Sequence, residues 1–250
     1  MVRKFGTGKK DMLKGSSDKD LINGRAGDDM LFGGDDNDKL IGGAGSDELH
    51  GGGGNDKLVG GSRNDILEGD AGNDKLNGGS GDDTLNGGDD NDKLHGASGD
   101  DALDGGDGND RLFAGSGDDT LLGGEGNDLL IAGEGADTVD GGAGADAMLG
   151  GAGVDTFVFV EGDGFLGSVV AGSYDDVILD FADGTDQFDF TGVLGYVDQT
   201  SVIVTDVTDP LWGSGAVIAY GDDGIGNPAG FVFVVGYSAA QVSADDFVAL

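Results

Sequence analysis

Residues 42–59 read GGAGSDELHGGGGNDKLV, one nonapeptide written twice. Its pattern is G-G-x-G-x-D-x-U-x, where U is a large apolar residue. Extended outward from there, the nine-residue frame runs from Gly6 to Val158 without insertion or deletion, seventeen copies in all. The sixth position is Asp in every copy: Asp11, Asp20, Asp29, Asp38, Asp47, Asp56, Asp65, Asp74, Asp83, Asp92, Asp101, Asp110, Asp119, Asp128, Asp137, Asp146 and Asp155. The eighth is always apolar, from Leu13 and Ile22 through a run of Leu to Val139, Met148 and Phe157. The first is Gly in fifteen copies, the exceptions being Ala114 and Ala132, and the second and fourth are Gly in twelve copies each.

Each position has a physical reason. Three residues with an apolar centre form a short strand, the eighth position facing inward and the seventh and ninth outward. The other six form a turn, whose glycines permit positive φ and let backbone carbonyls crowd around a centre. Asp at the sixth position aims its carboxylate at that centre. A hard cation with six to eight oxygen ligands suits such a site, and Ca²⁺ suits it best. Cysteine is absent and only two His occur, which argues against zinc or copper in the repeats.

Composition bounds the rest. The chain carries 49 acidic and 13 basic residues among 250, a formal net charge of −36. Nucleic acid and anionic membrane faces are poor partners for such a surface, whereas cations are natural ones. No run of about 18 apolar residues occurs, so membrane insertion is not expected. Met1–Lys14 lacks the apolar stretch of a secretory signal. Gly numbers 55, and chains this rich in Gly and Asp stay disordered unless something orders them. With one inward residue in nine and rows of mutually repelling Asp, folding and cation binding are expected to be a single process.

The nonapeptide resembles the hemolysin-type calcium-binding repeat of the RTX (repeats-in-toxin) proteins. The resemblance implies an all-β, right-handed parallel β-roll, a two-sheet β-helix solenoid in which two nonapeptides make one coil. Calcium would sit between successive coils on the same side. Asp11, Asp29, Asp47 and their successors would line one edge, and Asp20, Asp38, Asp56 and theirs the other. All seventeen Asp become candidate ligands, with eight gaps on one edge and seven on the other, up to about fifteen Ca²⁺ sites. Lys9, Lys10, Lys19 and Arg63 stand in the turns of repeats one, two and seven, so the strongest sites are expected from Gly69 to Gly144, with a frayed, polar N-terminal cap.

Two rows follow an 18-residue period instead of nine. Lys39, Lys57, Lys75, Lys93 and Arg111 hold the seventh position of alternate repeats, and Asn37, Asn55, Asn73, Asn91, Asn109 and Asn127 the fifth position on the same side. The cations either deter sheet stacking or form a docking stripe for an acidic polysaccharide or cell surface. His50 and His95, both at ninth positions, read as outward surface residues, not catalytic groups.

After about Val158 the composition changes. Trp212 and all four Tyr lie beyond it, and no Lys or Arg follows Arg111. Runs at 156–160, 177–181, 188–190, 201–205, 216–220 and 231–235 read as strands. The expected division is a calcium-binding roll over 1–158, its repeats spanning 6–158, and a C-terminal β-rich capping and secretion-signal region over 159–250. The segments GVDTFVF (153–159), DDVILDFADGTDQFDF (175–190) and VVGYSAAQVSADDF (234–247) resemble the region that follows the repeats in serralysin-type proteases and other type I secretion substrates. That resemblance implies a bacterial, extracellular protein handed to type I secretion machinery by an uncleaved C-terminal signal. No nucleophile–His pairing is evident. The sequence therefore reads as a secreted, non-enzymatic calcium-binding protein with a structural or matrix role. The alternatives are the folding and export module of a secreted protease, lipase or epimerase, or a polysaccharide-binding module.

Overall fold

The computed structural model describes residues 1–160 and five further strands, at 176–178, 187–192, 203–209, 213–220 and 230–235. Each repeat contributes one strand that pairs in parallel with the strand 18 residues away. Lys39 lies opposite Lys57, Leu40 opposite Leu58 and Ile41 opposite Val59. Successive strands therefore alternate between two sheets, of thirteen and ten described strands. Two nonapeptides make one coil, and the parallel solenoid expected of the repeats is what forms. Among the described residues no helix is long and apolar enough to cross a membrane.

Most strands of the roll are six residues long where three were expected. Lys39–Ala44, Glu48–Gly53 and Lys57–Ser62 each run from a seventh position to the third position of the next repeat. The second position takes positive φ, as at Gly43 and Gly61. The backbone bends there, yet pairing misses only the first position and resumes at Gly43–Gly61 and Ala44–Ser62. Only positions four to six are left as the turn, and position four also has positive φ.

Three positions of the nine are buried. The eighth forms an apolar file from Ile22 through Leu31, Leu40 and their successors to Met148 and Phe157, each at most 2% exposed. Its members at the same level on the two sheets meet across the roll. The sixth-position Asp, from Asp20 to Asp155, are at most 4% exposed, as buried as the leucines. The first position is buried too, except at Gly15, and Ala114 and Ala132 are among the buried.

The first coil ends in a polar group. Strand Arg3–Phe5 pairs with Leu21–Asn23 and sets Lys4 opposite Ile22, so a cation takes the register position that Leu holds elsewhere. Lys4 Nζ donates to the Lys14 carbonyl. The polar cap expected from the atypical first repeats is present, but it is paired into the sheets and not frayed. At the other end the sheets continue past Val158. Thr156–Val160 pairs with Gln187–Gly192, and Ala147–Ala152 with Asp176–Ile178. Strand Gly230–Val235 then adds beside Asp176–Ile178, followed by Gly213–Tyr220 and Ile203–Asp209 in antiparallel order. Each of the six C-terminal runs read as strands holds one. Trp212 and residues 236–250, most of the last segment likened to an export signal, lie outside the described residues.

Positive φ separates tolerable from intolerable side chains. Arg25, Asp36, Arg63, Asp70, Asp90 and Ala97, at second or fourth positions, lie at φ between 67° and 94°. That range is reachable by L-residues at a cost of roughly 1–2 kcal/mol. Gly117 has φ 132°, and a Cβ there would run into the carbonyl oxygen of Gly99. Thermal melting of the calcium-loaded protein checks this: Arg63→Gly should raise stability by about 1 kcal/mol, after the entropic cost of glycine. Gly117→Ala should lower it by more than about 2 kcal/mol.

Candidate metal centre

From Asp20 to Asp137 each sixth-position Asp is tied to both neighbouring coils. Its backbone N–H donates to Oδ1 of the Asp 18 residues later, unbroken from Asp11–Asp29 to Asp137–Asp155, at 2.6–3.1 Å. Its carbonyl accepts from the seventh-position N–H of the following coil, as in Lys57–Asp38 and Lys75–Asp56, both 3.0 Å. The expected two edges are thus present, with Asp47 in one row and Asp56 in the other.

The second carboxylate oxygen behaves differently. From Asp29 through Asp137, Oδ2 is buried and has no hydrogen-bond partner. A buried anionic oxygen without a partner is costly, and a whole row of them calls for a cation. Oδ2 lies over the first position of its own repeat. A Cβ at Gly42, Gly60 or Gly78 would collide with Oδ2 of Asp47, Asp65 or Asp83. The carbonyl oxygens of positions two and four point along the stack, since a Cβ at Gly61 would meet Gly43 O and one at Gly99 would meet Gly81 O. Beside Oδ2 lies the first-position carbonyl of the next coil, as Gly60 O beside Asp47 Oδ2 and Gly78 O beside Asp65 Oδ2. Carboxylate and carbonyl oxygens are the donors available there, a set that fits Ca²⁺ and gives a softer metal nothing to prefer.

Asp11 and Asp20 depart from this pattern. Thr7 donates its amide and hydroxyl to Asp11 Oδ2 at 2.6 and 2.9 Å. Ser16 does the same for Asp20 at 2.7 and 2.8 Å. The first two repeats thereby supply from the chain itself what the later carboxylates lack. The lysines of these turns were the sequence signal for weak sites; the hydroxyls at position two were missed, although a second-position Ser or Thr occurs nowhere else in the frame.

The 18-residue rows also find places. Many fifth-position side chains form a ladder of their own, the Oδ1 accepting the fifth-position N–H of the next coil. Asn109 donates to Asn91 at 2.8 Å, Asn127 to Asn109 at 2.9 Å and Asp118 to Asp100 at 2.9 Å. Lys39, Lys57, Lys75, Lys93 and Arg111 stand on adjacent strands in direct register, all exposed. His95 is exposed and His50 partly so, both outward as expected.

Burial dominates the titration of the Asp rows. Without a cation, desolvation pushes Asp65, Asp74, Asp92 and Asp128 up to about 7. Asp56, Asp83, Asp101, Asp119 and Asp137 rise to about 6 by the same cause. Bonds from the preceding coil's amides oppose the rise and neighbouring Asp charges add to it. Asp20 moves the other way, lowered chiefly by the Val2 amide. Carboxylates with raised folded values destabilise the metal-free roll when ionised. The penalty is absent below the unfolded value of 3.8, grows as pH rises and is complete above about 7. In excess chelator, far-ultraviolet circular dichroism should therefore show more β-structure at pH 5 than at pH 7.5. The opposite order would mean that the carboxylate rows do not control folding.

The repeat frame also matches a known family model. The sequence matches the RTX calcium-binding nonapeptide repeat (4 copies) in overlapping stretches at residues 5–40, 32–67, 59–94, 86–121, 95–130 and 122–157. Among solved structures, the chain is similar to a subunit of the Azotobacter vinelandii mannuronan C5-epimerase, at 34% identity over 64% of this chain and 78% of that one, with a TM-score of 0.38. It is also similar to the extracellular lipase LipA of Serratia marcescens, at 17% identity and a TM-score of 0.29. That match covers 99% of this chain and 40% of the lipase. No curated protein matches the chain significantly. With the repeat matched from residue 5 to residue 157 and the two-sheet parallel roll built upon it, the chain belongs to the RTX calcium-binding nonapeptide repeat family.

Proposed function

We propose that this protein is a secreted, non-enzymatic β-roll that folds by taking up a file of Ca²⁺ ions along each edge, and that it acts as a structural or surface-associated element. The observation that carries this reading is the row of buried, partnerless Oδ2 atoms from Asp29 to Asp137. Bound calcium would supply positive charge and oxygen coordination between coils. The chain's residues do the rest. Sixth-position carboxylates and the carbonyls of positions two and four provide the oxygens, glycine at position one leaves the room, and the Oδ1 ladder holds each carboxylate in place. Asp146 and Asp155 continue the two rows in register. Asp11 and Asp20 are the weakest members of the set, because Thr7 and Ser16 already occupy their Oδ2 atoms.

An extracellular setting suits this chemistry. Calcium at millimolar levels saturates sites with dissociation constants of roughly 10⁻⁴–10⁻³ M, while cytosolic calcium leaves them empty and the chain unfolded. An unfolded chain is a suitable cargo for a one-step export channel, and folding at its exit would oppose return.

Native mass spectrometry across a calcium titration tests the reading. Several calcium ions should bind, up to about fifteen, with half-saturation near 10⁻⁴–10⁻³ M. Asp92→Asn should lose one or two of them, since Asp92 borders two gaps, whereas Asp11→Asn should leave the count unchanged. Equal losses from both variants would contradict the assignment. Saturation at sub-micromolar calcium would contradict the extracellular setting.

A further inference from the structure

The outward face of the smaller sheet carries a cluster that the calcium edges do not use. The ninth-position side chains of four adjacent coils stack in one column. Lys14 Nζ lies 4.6 Å over the Phe32 ring, and Phe32 stacks on His50 with centroids 4.8 Å apart and planes 5° from parallel. His50 in turn meets Glu68, the next member of the column. Glu48, two residues before His50, and Asp70, two after Glu68, complete the group.

The imidazole is held between acids. Its Nε2 is 2.9 Å from Glu48 Oε1 and its Nδ1 2.7 Å from Glu68 Oε2. A neutral ring has one N–H and one lone pair. Whichever nitrogen keeps the proton, the other points a lone pair at a carboxylate oxygen. That contact is repulsive unless a second proton or a metal ion comes between them. Ligand atoms of His50, Glu68 and Asp70 lie within 4.8 Å of one another. A histidine that ligates a metal through one nitrogen typically gives its other N–H to a carboxylate. Glu48 stands where that carboxylate belongs, and stacking on Phe32 fixes the ring plane. Beside Glu68 and Asp70 an open depression of about 500 Å³, lined also by Asn86 and Asp89, leaves space for water on a bound ion.

We propose that His50, Glu68 and Asp70 form a binding site for a borderline divalent transition metal such as Zn²⁺, with Glu48 positioning the imidazole, separate from the calcium edges. The nitrogen donor makes the distinction. Calcium takes oxygen ligands, whereas imidazole favours zinc and its neighbours. His95 provides an internal contrast at the same repeat position of the other sheet. It stacks against Phe113 at 6.3 Å, with Lys93 Nζ 4.9 Å above that ring, in cationic surroundings.

The test is a Zn²⁺ titration of the full chain in excess calcium, which keeps the roll folded and its oxygen sites filled. Calorimetry should show one Zn²⁺ bound. Affinity should fall at least tenfold in His50→Ala, Glu68→Gln and Asp70→Asn, and roughly tenfold in Glu48→Gln. His95→Ala should bind as the unaltered protein does. In the unaltered protein, Zn²⁺ should shift the imidazole resonances of His50 and leave those of His95 in place, a readout independent of whether any variant folds. Absence of Zn²⁺ binding, binding retained in His50→Ala, or equal shifts at both histidines would overturn the site.

Discussion

A carboxylate every nine residues, stacked on its counterpart 18 residues along, is the constraint on which the rest of this structure depends. The stacking places one acid above the next on each edge and buries them as deeply as the leucines. Oδ1 gains an amide from the coil before, a charge-assisted bond that fixes both the coil spacing and the side-chain rotamer. Oδ2 gains nothing from the chain between Asp29 and Asp137. From Asp29 to Asp137 each Asp thus has one oxygen in a structural ladder and one that the chain leaves without a hydrogen bond. The apolar file beside it is one residue wide. On the proposed reading, neutralising the rows is a condition of folding rather than a refinement of it.

The ends of the roll show what happens where that constraint is relieved. At the first coils, Thr7 and Ser16 satisfy Oδ2 directly and Lys4 occupies the inward position. At the far end the two sheets run on into strands whose ninefold pattern is lost, and pairing with Gln187–Gly192 and Asp176–Ile178 covers their open edges. Covered edges matter for a parallel sheet, whose exposed N–H and C=O groups would otherwise recruit other chains.

Much of this could be read in the sequence because a repeat samples the same environment many times. A position that is Asp in every copy beside one that is always apolar leaves little freedom over what faces in. Other features were hidden. The doubled strand length depends on whether pairing survives the bend at position two, which no single repeat reveals. The Oδ1 ladder was invisible because an invariant Asp is explained equally well by metal ligation alone. Only the stacked coils bring the Asp74 amide to the Asp92 carboxylate. The Asn and Asp rows at position five carried a signal, their 18-residue period, but their hydrogen bonds run between coils and have no local signature. The His50 cluster has the same origin. Glu48, His50, Glu68 and Asp70 are spread over three repeats, and the coil pitch alone makes them neighbours. Beyond the repeats, alternation located each strand, but not the order in which Gly230–Val235 comes to lie beside Asp176–Ile178.

Whether the fold exists without its cations decides the role of the Asp rows. Far-ultraviolet circular dichroism at pH 7.5 should be followed against calcium concentration, with bound calcium counted on the same samples. The prediction is a largely disordered chain in excess chelator and a rise in β-structure that coincides with calcium uptake. A native-like spectrum with a cooperative thermal transition in excess chelator would contradict it.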